Sequence, residues 1–168
     1  GSYFTERERR LTIYTDIPQT VKTRDGEIAS INLSSRNTSP DVARDRHYDA
    51  CVRIPDEDGQ VFMKKIGTGF RGNDAFEIEG MLKAKPDYVC FIIDSAPDLG
   101  TFTLYGHQYC EGQILHKSLY AQDPVMPPTK SFIPEILAKD TDIPIALVDI
   151  DTVKGGDIAT KTREAVSA

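Results

Sequence analysis

No stretch of the chain approaches the roughly 20 apolar residues of a membrane-spanning helix, and the opening residues, Gly1 to Glu6, hold no apolar signal-peptide core. Basic charge is scarce: 20 Lys and Arg stand against 26 Asp and Glu, for a net charge of −6. Nucleic acid and anionic membrane both require a basic footprint, so neither is expected as a partner. Cysteine is sparse and odd in number, at Cys51, Cys90 and Cys110, without a CxxC pair. Reduced thiols and a cytoplasmic location are the expectation. His47, His107 and His116 lie far apart, and none has metal-ligand spacing to another His or Cys, so no metal is expected. A Gly-x-Ser-x-Gly elbow and a Walker A sequence are both absent. Repeats and low-complexity segments are absent too.

The 168 residues suit one domain with a sizeable core. Leu11–Tyr14, residues 28–33, residues 61–66, residues 88–93 and residues 144–150 read as strands. The run Tyr88-Val89-Cys90-Phe91-Ile92-Ile93 lacks polar alternation, which is the mark of a strand covered on both faces of a parallel sheet. Ser39-Pro40-Asp41 carries the signals of a helix start, and that helix is expected to reach about Cys51. Further helices are expected over 74–83, ended by Pro86, over 131–138 with Ser131 as the cap, and over 157–166. Glu111-Gly112 marks a hairpin. The predicted fold is therefore a single α/β domain over 1–168. It has a mostly parallel, Rossmann-like sheet flanked by helices and a β-hairpin insertion around 101–116.

Gly67-Thr68-Gly69-Phe70-Arg71-Gly72 reads GxGxxG between a predicted strand and a predicted helix, and Asp94 follows 22 residues after Gly72. That is the layout of a dinucleotide fingerprint, with Gly67, Gly69 and Gly72 at the pyrophosphate and Asp94 on the ribose. Three features oppose it. Lys64-Lys65 are awkward in a central first strand, Asp74 would compete with a phosphate for the helix start, and the motif comes third in strand order. A plain tight turn is one alternative. Another is a site for a different anion. There, unpaired amides at the helix start, the Arg71 guanidinium and one of the two lysines would hold a carboxylate. Strand alternation sends Lys64 and Lys65 to opposite faces. Arg36, just past the second predicted strand, would join them.

Several landmarks resemble, in order, the N-terminal domain of the four-carbon acid sugar kinase family. They are Asn32–Pro40 (NLSSRNTSP), Lys64–Asn73 (KKIGTGFRGN), Ala96-Pro97 with Gly100, Gly106–Gly112 (GHQYCEG), Ala121–Pro124 with Pro127 and Ser131, and Val153-Lys154-Gly155. The resemblance implies a small anionic sugar acid, threonate- or erythronate-like, as ligand. By position it implies Arg36, Lys65, Arg71, Gly72 and Asn73 around that ligand, with His107 in the matching glycine segment. It also implies that ATP and Mg belong to a C-terminal nucleotide domain, so that this chain alone holds no cofactor and does not turn over. Gly67, Thr68 and Gly69 stand where the family signature has Asp, Ser and Thr, and Thr101 replaces an arginine. The family's opening Asp-Asp-x-Thr-Gly-Ala motif is not present, which leaves the catalytic groups unidentified. A strand missing from the sheet would leave an open edge, so self-association is a further expectation. Two other functions remain open: an NAD(P)-binding oxidoreductase fragment, and a degenerate domain kept for protein interaction.

Overall fold

The structure is a computed structural model, and it describes residues 10–167 except Lys22 and Asp25. The described chain divides into two compact units. One runs to Lys64 and adds Phe76–Tyr88, and the other takes Lys65–Ala75 and the chain from Val89 onward.

In the first unit, β1 (Leu11–Tyr14) and β2 (Ile28–Ile31) pair in parallel, Leu11 opposite Ile28 and Tyr14 opposite Ile31. Helix α1 (Pro40–Val52) starts as the sequence signals, with Ser39 at the cap position, Pro40 in the first turn and Asp41 bonded to Arg44. It buries Ala43, His47, Ala50 and Cys51. Helix α2 (Asp74–Ala84) lies directly on it in this unit. A Cβ added at Gly80 would fall onto the Arg44 carbonyl oxygen, so the close approach requires glycine here. Arg44 Nε bonds Glu79 at 2.9 Å across the same contact.

The second unit carries an antiparallel sheet of β3 (Thr101–Leu104), β4 (His107–Cys110) and β5 (Gln113–Ile114). Both of its turns are two-residue turns with positive φ at each position: Tyr105-Gly106 (48°, 76°) and Glu111-Gly112 (50°, 75°). Such turns match the twist of the strands they join. The expected hairpin at 101–116 is therefore present, with a second turn at Tyr105-Gly106 beside the expected one at Glu111-Gly112. Leu115, fully buried, and Cys110, Ile133 and Leu137 form its apolar core. The unit also carries the α-helices α3 (Ile133–Ala138), α4 (Ile150–Gly155) and α5 (Ile158–Ser167).

The expected mostly parallel, Rossmann-like sheet is corrected to a mixed α/β arrangement, with two small sheets among the described residues. Residues 61–66, 88–93 and 144–149 join no ladder among the described residues. An apolar run records a preference for extended backbone, but it does not supply the neighbouring strand that a ladder needs. Alternation survives in the first of these segments. Val61 (87%) and Met63 (70%) face solvent, whereas Phe62 packs edge-on against Tyr88 at 5.4 Å with the Lys85 ammonium over its ring. In the second, Val89, Phe91 and Ile93 are exposed, against the expected burial on both faces.

Two smaller corrections concern helix starts. Ser131 does not cap α3. Phe132 holds the cap position, and the Ser131 hydroxyl instead accepts from the His116 backbone N–H at 3.0 Å. Helix α4 occupies the end of the predicted last strand; Asp149 caps it by accepting from Thr152 N–H at 2.9 Å, and Gly156 closes it at φ 78°.

Candidate functional site

Lysines 64 and 65 separate as strand alternation requires. In the first unit, Lys64 reaches a buried polar knot: its ammonium lies 2.5 Å from Glu77 Oε2, and the Ser35 hydroxyl donates to Glu77 Oε1. His47 stands 3.9 Å from the same carboxylate and bonds the Ala43 carbonyl through Nδ1 at 2.8 Å. Burial drives the Glu77 carboxyl upward, but the Lys64 ammonium and the Ser35 hydroxyl outweigh it and hold the group below its usual range. Burial pushes His47 down, so its imidazole is neutral at pH 7. This knot ties Ser35 and Lys64 to α1 and α2 within the first unit.

Lys65 belongs to the second unit and stays exposed, with its charge beside Asp94. The bend that follows, residues 67–73, is held by a Phe70 N–H to Gly67 carbonyl bond of 2.9 Å. Phe70 sits at φ 44° and Gly72 at φ 122°; Gly67 and Gly69 do not need left-handed backbone. Gly69 serves another purpose. A Cβ there would lie 2.8 Å from Arg71 Nε and 3.2 Å from the Tyr120 ring, so the missing side chain makes room for both.

Arg71 is the best-positioned cation of the bend. Its guanidinium lies 4.8 Å over the Tyr120 ring, and its Nη1 donates to Asp123 Oδ2. Asp123 is itself fixed, because its Oδ1 accepts from Val125 N–H and Met126 N–H, both at 2.9 Å. Those two amides and then the guanidinium hold the Asp123 carboxyl down at about 2. Tyr120 is anchored in turn by a 3.0 Å bond between its hydroxyl and Thr68 Oγ1. One edge of the guanidinium is thus bound to protein, and the bend is covered on the Tyr120 side.

Asp94 lies behind the bend and is 8% exposed. Gln108, fully buried, donates to the Asp94 carbonyl at 3.1 Å and to Asp94 Oδ2 at 3.3 Å, and Thr103 Oγ1 donates to Gln108 Oε1 at 2.7 Å. Burial raises the Asp94 carboxyl from 3.8 to about 6; Lys65 opposes the shift and Asp74 adds to it. The next inward residue of β4, Cys110, points its thiol at the Thr68 carbonyl, 3.8 Å away.

Of the residues singled out from sequence, Lys65, Gly67, Gly69, Arg71, Gly72, Asn73 and Asp94 share the second unit. Asn73 is buried where α2 begins. His107 lies in that unit too, but on the face of β4 opposite Gln108 and Cys110. Its ring packs on Phe132 at 5.0 Å, and its Nδ1 is buried with no hydrogen-bond partner. Arg36 is exposed on the first unit. It follows Ser34, a non-glycine residue at φ 47° whose N–H bonds Asn32 Oδ1 at 3.1 Å. Beside that loop, a cleft of about 370 Å³ opens at the carboxyl ends of β1 and β2, lined by Asp16, Asn32, Ser34 and Arg46 among others. Gln108 and Glu77 carry no motif that marks them as site residues in the sequence. Asp123 stands in the Ala121–Pro124 landmark, where an Asp followed by Pro is a turn signal, but its pairing with Arg71 is not written there.

These features define a small mixed α/β domain with an arginine-bearing bend at a helix start, a form suited to a small anion. The chain belongs to the family described as the sugar-binding N-terminal domain, whose model matches residues 5–168. This bears out the likeness to four-carbon acid sugar kinases carried by the sequence landmarks. The D-threonate kinase of Salmonella typhimurium is 30% identical over 140 residues, covering 81% of this chain and 32% of that protein. A solved Haemophilus influenzae protein shares the fold at a TM-score of 0.82 and 17% identity, covering 97% of this chain and 40% of that one. A Bordetella bronchiseptica protein, solved as a domain-swapped dimer with bound citrate, matches at a TM-score of 0.67 and 21% identity, covering 82% of this chain and 36% of that one. The chain spans about a third of the length of the curated relatives it matches.

Proposed function

We propose that this domain holds the carboxylate of a four-carbon sugar acid, threonate- or erythronate-like, at the bend 67–73. Arg71, Lys65 and the amides at the start of α2 supply the positive field, with Gly72 and Asn73 shaping the approach. Arg36 and His107 are assigned supporting roles by resemblance alone. The observation that carries the reading is the guanidinium of Arg71, fixed by Tyr120 and Asp123 beside the bend. In this reading ATP and Mg are held by a nucleotide-binding half, as the kinase resemblance implies. Phosphoryl transfer depends on positioning donor and acceptor together, so the residues described here supply the acceptor side only.

The dinucleotide reading is disfavoured by Asp94. A carboxyl that is 8% exposed and bonded to Gln108 is poorly placed to take a ribose hydroxyl from solvent. Calorimetry separates the two: D-threonate or D-erythronate should give a saturable heat where NAD and NADP give none. Heat from the dinucleotides alone would reverse the assignment.

Self-association is a second proposal, favoured by the exposed Val89, Phe91 and Ile93 on a segment that joins no ladder among the described residues. The domain-swapped dimer of the Bordetella bronchiseptica relative supports it by analogy. A concentration-dependent sedimentation coefficient is expected, and a strictly monomeric profile would remove this proposal.

A further inference from the structure

The chemistry of the bend rests on how one guanidinium is held. A free arginine side chain samples many rotamers and loses that freedom when it grips a ligand. Arg71 has already lost it. Its planar group is laid against Tyr120, whose hydroxyl is tied to Thr68, and its Nη1 is bound to Asp123, whose other oxygen is tied to two backbone amides. Each partner of Arg71 is therefore fixed by a bond of its own. Gly69 leaves open the space into which the Nε edge fits.

We infer that Asp123 and Tyr120 are positioning residues for ligand recognition: they hold Arg71 so that its remaining N–H groups meet a carboxylate without further ordering. The inference rests on the reading under Proposed function and adds the residues that set its acid selectivity. Asp123 touches no ligand in this scheme. It acts through Arg71, and its negative charge keeps the guanidinium from leaving the bend when the ligand is absent. A competing role is a latch, in which Asp123 occupies the ligand's own place and must be displaced. The two roles differ in sign, since loss of a latch tightens binding and loss of a positioning partner weakens it.

Asp123→Asn discriminates between them, because an asparagine oxygen still accepts from the amides of residues 125 and 126 while the charge facing Arg71 is gone. Calorimetry of the full chain with D-threonate, and with uncharged threitol as comparison, reads the effect. Positioning predicts that Asp123→Asn weakens threonate binding by roughly tenfold or more, the scale of a hydrogen bond to a charged group, and leaves any threitol binding unchanged. Tyr120→Leu should weaken threonate similarly, and Tyr120→Phe, which keeps the ring face, should restore most of the affinity. Equal or tighter threonate binding by Asp123→Asn overturns the inference in favour of a latch or of no role. Equal loss of threonate and threitol overturns it as well, since general damage to the fold would do that. If the parent chain takes up threonate and Arg71→Ala loses it, failure of the Asp123 and Tyr120 variants condemns positioning alone. If the parent takes up no sugar acid, the ligand assignment falls and positioning falls with it.

Discussion

Replacing Asp94 by Asn should stabilise the protein, and the gain should grow with pH. The Asp94 carboxyl is buried behind the glycine bend, and its folded value is about 6 against 3.8 for the free group. A raised carboxyl binds its proton more tightly in the folded than in the unfolded chain. Between those two values the unfolded state has already released its proton while the folded state keeps it, so stability falls as pH rises through that window. At roughly 1.4 kcal/mol per unit the full penalty is up to about 3 kcal/mol, and screening by water on the Lys65 side brings the expected figure nearer to about 2 kcal/mol. Asparagine carries no charge at any pH and can still accept the Gln108 hydrogen bond. Urea unfolding at about pH 7.5 should therefore show Asp94→Asn more stable than the parent by about 2 kcal/mol. At about pH 4.5 only about a third of the gain should remain, because the folded carboxyl is then protonated in the parent. A gain that does not change with pH, or a loss at pH 7.5, would refute the reasoning.

Three further outcomes are expected. Gly80→Ala should cost about 1–3 kcal/mol in urea unfolding, because the added methyl meets the Arg44 carbonyl and forces α1 and α2 apart; a neutral result would deny that close approach. Glu77→Gln removes the carboxylate that neutralises Lys64 in the buried knot and should cost roughly 3–5 kcal/mol, whereas joint replacement of Lys64 and Glu77 by Met and Leu should recover most of the loss. Added ATP and Mg with D-threonate should give no sugar phosphate from these 168 residues alone, and product in a coupled assay would contradict the assignment of this domain to the acceptor side.

The local grammar of the chain was readable because it is written in single residues. Pro40 after Ser39 starts α1, and Glu111-Gly112 makes the outer hairpin turn. Lys64 and Lys65 part company as an extended backbone demands. The sheet was not readable in the same way. Val61, Phe91 and Ile93 have the side chains of covered strands, yet ladder partners are a property of distant chain, which a run of apolar residues does not encode. The proposed site was legible in Arg71 and its glycine bend and not in the residues that support them. Arg71 stands in a recognisable motif, but its partners come from residues 49 and 52 positions later, and Gln108 reaches Asp94 only because the hairpin folds back. Gly69 needs no left-handed backbone, and its missing side chain admits Arg71 and Tyr120, a packing role that the GxGxxG pattern does not announce.

The most direct measurement is a calorimetric titration of D-threonate into the parent chain and into Arg71→Ala. The expected result is saturable binding by the parent and a loss of roughly 1.5–3 kcal/mol, about ten- to a hundredfold or more in affinity, in the variant. Indistinguishable isotherms for the two proteins would show that the bend at 67–73 does not hold the acid.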